Sequence, residues 1–128
     1  MGRHEMKESI LLTKSKAFAL RIVRLYKYLR DRKESVIAKQ MLRSGTSIGA
    51  NIDESRYAQS KSDFASKLQI ALKEAAETEY WLELLRDSEL VESSSAFDSL
   101  CIDCTELIKL LTASVKTSKT KSRPLAGE

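Results

Sequence analysis

The residues of this chain that could do chemistry are few, and their spacing says more than their number. Glu74 and Glu77 form a carboxylate pair, Cys101-Ile-Asp-Cys104 is formally a CxxC, and the run SGTSIGANIDES at 44–55 sets Gly45 and Gly49 four apart. Paired carboxylates can serve as general acid and base, a CxxC can bind zinc or exchange disulfides, and a glycine-rich turn can cradle phosphate. Each of these needs company. A di-metal carboxylate bundle requires Glu-x-x-His pairs on two helices, and the single histidine is His4, close to the N-terminus. Ser-His and Cys-His nucleophile pairs fail for the same reason, as does a bundle nuclease built on Arg and His. Zinc at Cys101 and Cys104 needs two further ligands, and redox work needs a thioredoxin-like context. A phosphate cradle needs a preceding strand or a Gly-Lys-Ser/Thr ending, and the sequence has neither. It therefore implies no enzyme, no metal and no cofactor.

The elements that carry these residues are legible from periodicity. At 128 residues the chain is long enough for one domain with its own core. Apolar residues recur at helical spacing in four blocks separated by short polar joints. Leu11, Phe18, Ile22, Leu25 and Leu29 mark the first, which ends near 31–35. Ile37, Met41, Ser44, Ile48, Ile52 and Ser55 mark the second. The third is a heptad seam of Phe64, Leu68, Ala71, Ala75, Thr78, Leu82 and Leu85, opened by the capping residues Ser60 and Asp63. Phe97, Cys101, Cys104, Ile108, Leu111 and Val115 mark the fourth, with Ser93 to Ser95 as its cap. Short joints make sequential helices antiparallel. The expected fold is all-α, an antiparallel up-down-up-down four-helix bundle over 1–115, followed by a basic disordered tail over 116–128.

On such a second helix the glycines fall on one flank, and Ser47, Asn51 and Glu54 on the other. A glycine inside a helix costs about 1 kcal/mol relative to alanine, so close approach of a neighbouring helix is expected; a kink at Ser44–Gly45 is the alternative. Both cysteines take core positions. The third helix bears a second stripe of Ile70, Glu74, Glu77 and Trp81, with Leu84 adjoining. Trp81 either lies over a helix edge with its N–H in water or belongs to a subunit interface, where Trp is enriched and buried acids are paired. The interface is the favoured reading.

Charge is divided along the chain. Residues 1–33 carry ten Lys/Arg against three acids, whereas 61–92 carry four against eight. The basic flank suits a nucleic acid, an anionic surface or the acidic part of another copy. Lys16, Arg24 and Lys27, with Arg21 at their border, share the solvent side of helix one, and Lys119, Lys121 and Arg123 add charge in the tail. No aromatic residue interleaves them, so binding of RNA or DNA would be dominated by the backbone and weakened by salt. No membrane span exists, and MGRHEMKESI lacks the apolar core of a signal peptide, which points to the cytoplasm.

The stretch SGTSIGANIDESRYAQSKSDFASKLQIALKEAAETEYWLELL resembles the four-helix-bundle family first noted in intervening sequences of 23S ribosomal RNA genes. The family's marks are a serine-rich approach, Asn-Ile-x-Glu, Ser-Lys-x-[Asp/Glu]-Phe, and an Ala- and Glu-rich helix. They stand here as Ser47, Asn51 to Glu54, Ser60 to Phe64, and Ala71 to Trp81. The chain departs from many members at Gly49 and Ser55, where they have Pro and Gly. The resemblance implies a bundle that associates with itself into rings, commonly homopentamers. It is also similar to an accessory protein of diversity-generating retroelements that binds nucleic acid and a reverse transcriptase through a basic ring surface. On that basis Ser47, Asn51, Glu54, Lys73, Glu74, Glu77 and Trp81 are expected to hold helices or subunits together. The expected role is a non-enzymatic ring-forming protein that binds RNA or DNA backbone. The rival is a protein-interaction adaptor whose charged faces serve assembly or an acidic protein partner.

Overall fold

The apolar stripes do what their spacing requires. In the computed structural model, which describes residues 3–122 and side chains from 10 to 119, four helices follow one another: α1 (Arg3–Asp31), α2 (Val36–Ser55), α3 (Lys61–Asp87) and α4 (Ser95–Ser122). Each packs along its neighbours in ring order, and no diagonal pair approaches closely among the described residues. The α1–α4 seam is the loosest of the four. This is the up-down-up-down bundle that short joints predict. Its core runs from Leu11, Phe18, Ile22 and Leu29 on α1 through Met41, Ile48 and Ile52 on α2. It continues through Leu68, Leu82 and Leu85 on α3 to Leu100, Leu107 and Leu111 on α4. The stripe on α3 is phased slightly differently from expectation, with Ala65 buried and Phe64 packed at the margin.

The caps explain where the helices start and stop. The Ser60 hydroxyl accepts from the Asp63 N–H at 3.0 Å, and the Asp63 carboxylate accepts from the Gln59 N–H at 3.1 Å. Ser94 caps α4 by accepting from the Phe97 N–H at 3.1 Å. At the opposite end of α1 and of α3 the chain turns by one shared device. Lys33 and Glu89 adopt positive φ, of 65° and 61°, and the following N–H groups of Glu34 and Leu90 reach back to the carbonyls of Leu29 and Leu85. This is the Schellman arrangement, built without the usual glycine.

Helix α4 extends further than its sequence suggests. The expected boundary at 115 gives way to a helix that runs to Ser122, because Val115 and Ser118 are both buried and continue the stripe one turn further. A serine at an apolar position hides that continuation from a reading of hydrophobicity. Residues 123–128 of the expected tail, Arg123 among them, lie outside the described residues.

Buried hydroxyls are the core's polar component. Ser15, Ser44, Ser55 and Thr78 are all buried. Thr78 Oγ1 lies 2.8 Å from Ser44 Oγ and 2.7 Å from the Glu74 carbonyl, and Ser44 donates to the Met41 carbonyl at 3.3 Å. No buried side-chain polar atom lacks a hydrogen bond among the described residues, as an interior of this kind demands.

Candidate functional site

The glycines come first, because their placement decides whether α2 is a rod or a ligand-gripping loop. Both sit inside a continuous helix, unbroken at Ser44–Gly45. A Cβ on Gly45 would stand 2.9 Å from Ile22 Cγ2, and one on Gly49 would stand 3.3 Å from Ser15 Oγ. The missing side chains let α1 lie close against α2. Backbone contact between helices thus offsets the helix-propensity cost of each glycine.

The opposite flank of α2 joins α3 through a polar ridge. Arg43 bridges the two acids of the second stripe, contacting Glu74 at 3.2 Å and Glu77 more closely still. Trp81 Nε1 donates to Glu77 Oε2 at 2.9 Å, and the half-buried indole packs on the core's margin. The indole hydrogen bond, followed by the Arg43 guanidinium, holds the Glu77 carboxyl below the usual carboxylate range, and the two acids raise Arg43 in return. Ser47 donates to the Arg43 carbonyl at 2.6 Å, and Asn51 donates to the Ser47 carbonyl at 2.8 Å. Lys67 pairs with Glu54 at 3.1 Å. Of the seven residues predicted to hold helices or subunits together, Glu54, Glu74 and Glu77 take cations across the α2–α3 boundary and Trp81 braces Glu77, whereas Ser47 and Asn51 hydrogen-bond to carbonyls of α2 itself. Lys73 is exposed beside them and makes no ion pair among the described residues. Ile70 and Tyr80, 39% and 57% exposed, flank the ridge on α3. Arg43 and Lys67 were not anticipated as members. Arg43 stands one turn before Ser47 on the same flank, and that spacing is the signal that could have found it.

The cations of α1 divide into two groups. Lys14 pairs with Glu106 at 2.6 Å, and Arg21 with Asp103 at 2.5 Å. Arg21 also donates to the Ala96 carbonyl at 2.9 Å and to Ser99 at 3.3 Å. Arg21 thus belongs to the α1–α4 seam, not to the solvent stripe in which the sequence placed it as a border residue. Arg30 pairs with Asp31, and Arg32 lies over the Tyr28 ring at 4.6 Å. Lys16, Arg24 and Lys27 are exposed and make no ion pair among the described residues. Lys119 is exposed near the end of α4, and Lys121 falls on its last turn. α4 runs antiparallel to α1, and its thirteen residues beyond Glu106 carry Lys119 about 20 Å past the level of Lys14. Lys119 therefore stands apart from Lys16, Arg24 and Lys27.

The α1–α4 seam and the α1–α2 seam each leave a cleft. One of about 350 Å³ is lined by Arg21, Leu25, Tyr28, Phe97 and Leu100 among others, and one of about 500 Å³ by Leu12, Lys16, Ala19, Gly49 and Ala50 among others. Ser15, Lys16 and Asp53 line the larger cleft, and Arg21, Glu92 and Ser94 the smaller, but neither lining holds an imidazole or a thiol. The thiols are unsuited as well. Burial pushes Cys104 up to about 12 and raises Cys101, which is half-buried and touched by Arg86 rather than fully in the core as predicted. A protonated thiol is a poor nucleophile and a poor metal ligand. No group of three or more potential metal ligands converges among the described residues, and no helix there is long and apolar enough to cross a membrane.

Comparison with known proteins adds a family. A family model described as 23S rRNA-intervening sequence protein matches residues 7–113. No curated protein matches the chain. Among solved structures, the chain is similar to a protein with unknown function from the S23 ribosomal protein family of Bacteroides thetaiotaomicron VPI-5482. The two are 54% identical, with 86% of this chain and 98% of that chain covered and a TM-score of 0.81.

Proposed function

The chain belongs to the 23S rRNA-intervening sequence protein family, and from that premise we propose that it is a non-enzymatic, self-assembling bundle that binds the backbone of RNA or DNA through the outer face of α1. One observation carries this reading: Lys16, Arg24 and Lys27 are the exposed cations of α1 without an ion pair among the described residues, while Lys14, Arg21 and Arg30 are paired. Lys14 and Arg21, which brace α1 against α4, stand on the flank that faces that helix, whereas Lys16, Arg24 and Lys27 face solvent. Unpaired surface cations release counterions when phosphates replace the solvent.

Self-association uses the other side of the molecule. Ile70 and Tyr80 expose apolar surface beside the Trp81 ridge on α3, the helix diagonal to α1. Assembly there leaves the cationic face uncovered. A closed ring needs head-to-tail contacts, in which this patch meets a different patch of the next copy, and a homopentamer is the size the family resemblance implies. A second reading has its own support: Leu20 is 51% exposed and lies among Lys16, Arg24 and Lys27. A phosphate backbone has no use for it, whereas an acidic protein partner with an apolar patch does.

Retention of a structured RNA at low salt, together with molar mass from light scattering, separates the readings. Replacing Lys16, Arg24 and Lys27 by Glu is expected to abolish RNA retention and leave the mass unchanged. Monomerisation with RNA retention intact assigns the cations to assembly and defeats the proposal.

A further inference from the structure

We infer that the cationic face of α1 takes double-stranded rather than single-stranded nucleic acid, an inference that rests on the backbone-binding reading above. The three cations lie on one continuous helix, so their relative positions are set by helix geometry. At 100° and 1.5 Å per residue, Lys16, Arg24 and Lys27 fall within a sector of about 80°. Arg24 stands about 12 Å along the axis from Lys16, and Lys27 about 16 Å. A duplex presents two backbones at fixed separation across a groove, about 12 Å wide in the major groove of B-DNA, and wide and shallow in the minor groove of RNA. A rigid row of charges at that interval can rest on both backbones at once without deforming either.

What the face lacks points the same way. Single-strand binders stack bases on aromatic side chains lining a charged groove. No aromatic residue shares this sector. Tyr28 is turned toward α4, lining the cleft there, with the Arg32 guanidinium over its ring. Tyr57 and Tyr80, the other exposed aromatic residues, stand beyond the end of α2 and on α3. Residues 16–27 include no acid, and the cleft at the Lys16 end of the face is lined by no aromatic side chain, so the face offers splayed bases no stacking platform.

The test uses the full chain with labelled 20-base-pair duplexes of RNA and of DNA, and an unstructured single strand of the same length, across a salt series. Duplex is expected to bind at least tenfold more tightly than single strand. The plot of log K against log salt should have a slope of about −2.7 for each engaged protomer, from three phosphate contacts at −0.9 each. Substituting K16E, R24E and K27E together should remove both the preference and the slope, with helicity unchanged because all three side chains are exposed. Leu20→Ser should leave duplex affinity as it is. Equal or tighter binding of the single strand overturns the duplex inference and leaves the backbone reading standing. No retention of any strand at low salt overturns both, and so does a Leu20→Ser loss as large as that of the charge reversals.

Discussion

Helix α1 meets its two neighbours in opposite ways. Toward α2 it presents Ile22 and Ser15 to the backbone of Gly45 and Gly49, and the contact is close, although a cleft opens beside Gly49. Toward α4 it presents Lys14 and Arg21, which bridge to Glu106 and Asp103 across clefted ground. The first contact draws on shape and dispersion, which respond to a single methylene. The second draws on partly exposed ion pairs, which are weak and screened by salt. One helix is thus anchored on one flank and only braced on the other.

Four substitutions probe that contrast. Gly45→Leu should do the most damage, because even its Cβ would meet two carbons of a fully buried Ile22. Overpacking of this kind costs about 1–3 kcal/mol, read as a lowered melting temperature at any salt concentration. An unchanged melt would mean that α1 and α2 are not seated closely. Arg21→Ala, on the braced flank, should cost at most about 1 kcal/mol, and the loss should shrink in high salt; a large, salt-insensitive loss would erase the distinction.

Glu77 on the α2–α3 ridge supplies a pH-dependent reference. Its carboxyl is held below its usual 4.5 by the Trp81 indole and then by Arg43. The ridge therefore contributes its stability at neutral pH and loses it as pH falls below 4.5 through the lowered folded-state value. Glu77→Gln should flatten that acid limb, seen in melts between neutral pH and pH 3; an identical limb in the variant would show that Glu77 is not its source. The smallest effect is expected at Gly49→Ala. The nearest atom there is the Ser15 hydroxyl at 3.3 Å, and a gain in helix propensity of about 1 kcal/mol opposes the crowding. A net loss beyond roughly 0.5 kcal/mol in stability would show that the backbones at Ser15 cannot give.

The same contrast explains what the sequence could say. Four apolar stripes, the caps at Ser60 and Ser94, and the closeness required by Gly45 were readable because each is a local pattern. Arg21 with Asp103, 82 positions away, was not. Periodicity fixes which way a helix faces, but a long side chain on the border of that face finds its partner through the axial alignment of two helices. Arg43 differs: its place one turn before Ser47 is a local signal, and only its acid partners lie on another helix. The end of α4 was misplaced because Ser118 is buried through its neighbours rather than through its own hydrophobicity.

The hydroxyl contact between Ser44 and Thr78 bears on how the chain finds its alignment. Apolar ladders on two antiparallel rods are nearly indifferent to sliding by one turn, about 5 Å. Such a slip would set Ser44 against Ala75 or Leu82 in place of Thr78. It would forfeit one hydrogen bond, worth about 1 kcal/mol, and mismatch small residues with large. A refolding α2–α3 hairpin therefore has one best docking position among several greasy near-equivalents, marked inside the seam by two oxygens and along its edge by the ion pairs of Arg43 and Lys67.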